Sequence, residues 1–144
     1  MNRQISFRGY NLKNKMWLYG YYIVNRGKHY IVQDEVVGPF SESSDFEVDP
    51  ESVGQYVGDY NEHHIFEGDE VMVESTIDVY MHYLGIVKYD VYDCRFVVKF
   101  NVHCGTDKLP ITGCEQTCNT FGGRSYTFFY KYKVIGNEYE KKGK

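Results

Sequence analysis

The residues best suited to chemistry in this 144-residue chain are four cysteines and one histidine beside them. Cys104, Cys114 and Cys118 fall between residues 103 and 124, His103 adjoins the first of them, and Cys94 lies a little ahead. Structural zinc takes four thiolate or imidazole ligands, commonly in pairs two to four residues apart. Cys114-Glu115-Gln116-Thr117-Cys118 has that spacing. His103 and Cys104 do not, because neighbouring side chains on an extended chain point to opposite faces. The expectation is reduced thiols in a loop elaboration, with no metal and no cofactor. A zinc site built from Cys94, His103, Cys104, Cys114 and Cys118 is the lesser reading, and so is a disulfide, which a reducing compartment disfavours.

The remaining polar residues form no reactive constellation. His63-His64 reads as a polar turn leading into Ile65-Phe66, since a doublet needs a third ligand to hold a metal. His82 alternates with Met81 and Tyr83 in a β-rich run, and His29 starts another; neither reads as a catalytic base. Ser75-Thr76 and Ser125 lie in no nucleophile elbow. Asp90 with Asp93, and Glu67 with Asp69, sit at turns, where carboxylates usually bond backbone or face water. Gly122-Gly123-Arg124 is too short to cradle a phosphate. The chain is therefore not expected to be an enzyme.

Binding is the better-supported theme. The chain carries 15 Tyr and 9 Phe. Trp17, Tyr19, Tyr21 and Tyr22 cluster early, and Tyr126, Phe128, Phe129, Tyr130 and Tyr132 cluster late. Aromatic rings with Lys131 and Lys133 beside them can stack bases, but Tyr and Trp are also enriched in protein interfaces. A net charge of −4 argues against a generic grip on phosphate backbones, so core packing and a subunit interface are the preferred roles.

To position these residues the sequence offers strands. It has no alanine, the best helix former, and is rich in the β-branched and aromatic types that suit pleated surfaces. Gln4–Tyr10, Met16–Val24 and His29–Val37 read as strands separated by turn-rich segments. Asp49-Pro50-Glu51-Ser52 follows a polar loop and reads as one capped helical turn. Arg95, Val97, Lys99 and Asn101 alternate with Phe96, Val98, Phe100 and Val102, which places the second set inside. Ser125–Ile135 reads as one further strand. The fold class is mainly β: an N-terminal β-meander with a polar loop and a short helical turn over 1–60, packed with a C-terminal SH3-like β-barrel over 61–140. An insertion near 103–124 interrupts the barrel, and 141–144 reads as a disordered tail.

Three strings add an origin. Val53-Gly54-Gln55-Tyr56-Val57-Gly58, Ile65-Phe66-Glu67-Gly68-Asp69-Glu70-Val71 and Val134-Ile135-Gly136-Asn137-Glu138-Tyr139, in this order and spacing, resemble the YopX family of bacteriophage and prophage proteins. Ile5-Ser6-Phe7-Arg8-Gly9-Tyr10 and Lys15-Met16-Trp17-Leu18-Tyr19-Gly20 are similar to that family's usual start. The resemblance implies a phage or prophage origin and an approximate architecture, and no activity. The expectation is a non-catalytic accessory protein acting through protein–protein contacts with an unknown phage or host protein, or through self-assembly as a homo-oligomer. The alternative is a nucleic-acid-binding small β-barrel. No apolar run reaches the roughly 20 residues that span a bilayer, and the start lacks a signal-peptide core, so no membrane contact and a cytoplasmic location are expected.

Overall fold

The computed structural model describes residues 4–33, 43–60, 63–75, 82–92, 94–100, 108–110, 116–120, 124–128 and 130–143. The chain divides into two compact units, Met1–Gly58 with His64–Glu67, and Asp59–His63 with Gly68–Lys144. Among the described residues the fold is mainly β, with antiparallel sheets and one short α-helix. Among the described residues no helix is long and apolar enough to cross a membrane.

The first sheet contains β1 (Phe7–Asn11), β2 (Met16–Asn25), β3 (Lys28–Val32), β4 (Gly54–Tyr60) and β5 (His63–Phe66), in the order β3-β2-β1-β4-β5. A two-residue turn joins β2 to β3, with Arg26 and Gly27 both at positive φ. That is the type I′ geometry, whose twist matches the strands it connects. Leu18, Ile31 and Val48 form the buried core of this unit, with Phe7, Tyr22 and Val53 packed against them.

A polar hub fastens the loops to that core. Asn11 is wholly buried at the end of β1. Its Nδ2 donates to the carbonyls of Ser44, Asp45 and Glu47 at 2.9–3.0 Å, and its Oδ1 accepts from the Asn14 amide at 2.6 Å. Asp49 caps a 3-10 turn at Pro50–Ser52 by accepting from the Glu51 amide. Ser52 Oγ then accepts from the Tyr10 amide at 2.7 Å and donates to the Asp49 carbonyl at 2.6 Å. Buried polar atoms cost free energy unless paired, and this hub pairs them at both ends of the 43–52 segment.

The second unit is organised around β6 (Asp69–Ser75), β7 (His82–Asp90), β8 (Arg95–Phe100), β9 (Lys108–Pro110) and β12 (Tyr130–Asn137), ordered β12-β6-β7-β8-β9. β10 (Gln116–Thr120) and β11 (Arg124–Phe128) make a separate two-stranded ribbon. Val71, Val73, Val87, Val97 and Val98 have no accessible surface, as β-branched residues inside a sheet should. The chain then turns into α1 (Glu138–Lys141), capped by Asn137.

Three expectations need correction, and one register is extended. Among the described residues the second sheet is open, with β9 and β12 as its edges and no pairing between them, so no closed SH3-like barrel is found there. The strand expected over Ser125–Ile135 is two strands in different sheets: β11 pairs with β10, and β12 with β6. The 103–124 segment is not all loop, because β9 extends the main sheet and β10 joins the ribbon. In β8, Phe96 and Val98 are buried while Arg95 and Lys99 are exposed, as the alternation predicts, but Val97 is buried too. Val97 stands opposite Lys88 in register. Lys88 pairs with Glu138 of α1, so α1 lies on the face that alternation alone assigns to solvent. Asn101 lies outside the described residues.

Candidate interaction surface

One face of the first sheet gathers aromatic rings around an arginine. Register places Arg8 opposite Tyr19, and Tyr10 opposite Trp17; residues in such pairs, and those two apart along a strand, share a face. The Arg8 guanidinium lies 4.8 Å from the Trp17 ring centroid and 5.1 Å from that of Phe66. Its Nη2 donates to the Glu67 carbonyl at 3.3 Å. A desolvated cation over an aromatic face is worth up to about 2 kcal/mol, so Arg8 acts here as a packing element. Its charge is buried.

Around that centre the rings form two groups, joined through Arg8. Tyr10 meets Trp17 edge-on at 5.5 Å, Tyr19 meets Phe66 at 5.5 Å, and Tyr56 meets Phe66 at 5.6 Å and His64 at 6.0 Å. Phe66 is buried, whereas Tyr19 and Tyr21 are 50% and 57% exposed on β2. The result is a supported aromatic surface with its outer rings in water. Contiguous exposed apolar surface of this kind marks interaction sites.

The other face of β2 carries a polar pair that sequence reasoning passed over. The Tyr22 hydroxyl and His29 Nδ1 are 2.5 Å apart, with the two rings stacked. Burial raises the Tyr22 pKa above its ordinary value. His29 is therefore a packed and hydrogen-bonded core-edge residue.

The sequence-derived candidates are described only in part. His103, Cys104 and Cys114 lie outside the described residues. Cys118 lies on β10 opposite Tyr126 in register, and Cys94 is an exposed free thiol. Among the described residues no group of three or more His, Cys, Asp or Glu side chains could hold a metal. His63 and His64 are exposed and open strand β5, where a turn was expected. His82 and Ser75 fall on β7 and β6, and Ser125 on β11. Asp90 accepts from the Tyr92 amide, the backbone-bonding role expected at a turn. Gly122, Gly123, Thr76 and Asp93 lie outside the described residues.

The three sequence strings have architectural roles. A Cβ on Gly54 would stand 2.3 Å from the Glu67 carbonyl oxygen, so only glycine allows that approach. Gly68 has φ +87, a left-handed turn conformation between β5 and β6. Its amide donates to the Val87 carbonyl, and its own carbonyl accepts from the Glu138 amide, both at 2.9 Å. Lys141 pairs with the buried carboxylate of Glu70 at 2.5 Å. Asn137 caps α1, and Tyr139 is buried behind it. The sequence signal for the aromatic surface was the Trp17-Tyr19-Tyr21 alternation; none marked Asn11 as a hub.

No curated protein and no solved structure matches the chain. The family model described as YopX protein matches residues 6–142, nearly the whole length, and the chain belongs to the YopX family.

Proposed function

We propose that this is a non-catalytic accessory protein of phage or prophage origin, which works in the host cytoplasm through protein contacts made by the aromatic face of the first sheet. The observation that carries the reading is the pair Tyr19 and Tyr21, half-exposed on a face stiffened by buried Arg8 and Phe66. Tyr presents large contact area at low entropic cost and is enriched at interfaces. Arg8, the cation at the centre of this face, is buried against the Trp17 and Phe66 rings, so it is not presented to a phosphate backbone as a nucleic-acid groove would require.

The test is capture from lysogenic cells with the intact protein and with Tyr19→Ser/Tyr21→Ser. A partner or second copy held by the first and lost by the second is the expected result. Equal capture by both removes the face from consideration. The alternative, a nucleic-acid-binding small β-barrel, draws support from Lys99 and Lys133, both exposed on the second sheet. Binding to a single-stranded oligonucleotide that weakens steeply with salt would favour it.

A further inference from the structure

We propose that the exposed rings of β2 receive a proline-rich segment of a partner protein in the polyproline II conformation. This deepens the aromatic-face reading, on which it rests. Arg8, Tyr10, Trp17, Tyr19, Tyr21 and Val32 share the face by register. Arg8 is the charged member of that set and is buried, so what the strip shows to solvent is uncharged. The Tyr19 ring meets buried Phe66 at 5.5 Å and is held there. Tyr21, two residues on, is more exposed still.

These features decide among the ways a protein segment can be bound. Strand addition needs a sheet edge, and β2 lies between β3 and β1, so an occupant of this face meets side chains. Acidic and phosphorylated segments are read by clustered arginines, and the arginine here is enclosed by rings. A helix uses its backbone carbonyls internally and leaves few for hydroxyl donors. A polyproline II segment has no internal hydrogen bonds, so its carbonyls are free to accept. Proline adds no N–H that would need a partner, and such segments dock on aromatic-lined surfaces. Tyr hydroxyls and the Trp indole N–H are the donors that complement those carbonyls. The dimensions agree as well. Trp17 to Tyr21 covers about 13 Å at the rise of a strand, which is the length of about four polyproline II residues. A segment extended in advance loses little entropy on docking.

Trp17 is the only tryptophan in the chain and lies on this face, so its fluorescence reports occupancy in the full-length protein. Titration with a proline decamer should give a saturable change, and a decamer of alternating alanine and serine should give none. Tyr19→Ser/Tyr21→Ser should bind at least about tenfold more weakly, the loss expected of interface anchors. Tyr19→Phe/Tyr21→Phe keeps the rings, and with them the fold, and should bind about fivefold more weakly through lost hydrogen bonds. The phenylalanine pair keeps the test decisive if the serine pair fails to fold. No saturable change in the native chain, equal binding of the alanine–serine peptide, or native affinity in either folded variant would overturn the proposal. Capture from lysogenic cells separates it from the reading on which it rests. A partner that depends on Tyr19 and Tyr21 but is not displaced by the proline decamer removes the proline-rich segment and leaves the aromatic face standing.

Discussion

In the second unit the wholly buried side chains include five valines, Val71, Val73, Val87, Val97 and Val98. In the first, the wholly buried set joins Tyr30 and Ile31 with Asn11, an asparagine whose amide holds three carbonyls of a segment more than thirty residues away. The second unit also buries Asp69 and Glu70, but its wholly buried set is mainly valine. In the first, a directional polar anchor, Asn11, ties a remote segment to the sheet. Apolar packing tolerates substitutions of similar volume. A hydrogen-bonded hub tolerates almost none, since loss of one member strands the others.

Substitutions can break or sharpen that contrast. Asn11→Ala should have the largest effect, about 3 kcal/mol, because three carbonyls and the Asn14 amide lose their partner together. Hydrogen exchange should rise across 43–52 and leave β6 to β8 protected. Uniform exchange would mean that the hub is not local. Val87→Ala should cost about 2–3 kcal/mol through lost burial and the cavity left behind, whereas Val87→Ile should cost less than about 1.5 kcal/mol. Chemical denaturation of both variants measures the difference, and equal losses would show that volume is not what matters there.

Gly68→Val should destabilise by about 2 kcal/mol, because valine is strained at φ +87; an unchanged melting temperature would contradict the turn. Lys141→Met should cost about 1 kcal/mol, discounted because Lys141 itself is largely exposed while Glu70 is not. The smallest effect concerns Asp45. The hydrogen bond and charge of Lys13 hold its carboxyl below the ordinary value. Its contribution is present above the unfolded pKa and is lost as pH falls through the lower folded one. Carboxyl titration by NMR should move back to the ordinary value in Lys13→Gln.

This contrast also explains what could be read in advance. The valine-rich strands and the Phe96/Val98 register follow from alternation, which is local. The Asp49-Pro50 cap is local as well. Asn11 looked like a turn former because its neighbours are turn residues; its role depends on carbonyls brought close only by the fold. The division of Ser125–Ile135 between two sheets was equally hidden, since sheet membership depends on distant partners. The burial of Val97 was not legible, since alternation alone gives it the same face as Arg95 and Lys99. The rings around Arg8 were half legible: their clustering was plain, but Phe66 and Tyr56 come from strands remote in sequence.

The register shift between Val134 and Gly136 in β12 has a consequence for crowding. Among the described residues β12 is an edge strand, and an open edge invites backbone pairing with any passing extended chain. The shift leaves Ile135 as an extra residue, which kinks the strand and spoils a straight template. Lys133 projects nearby into solvent and adds a charge that an incoming strand would have to accommodate. Runaway ribbon growth along that edge is thereby discouraged. Any contact made along that edge has to rely on side chains, which a single substitution can switch off.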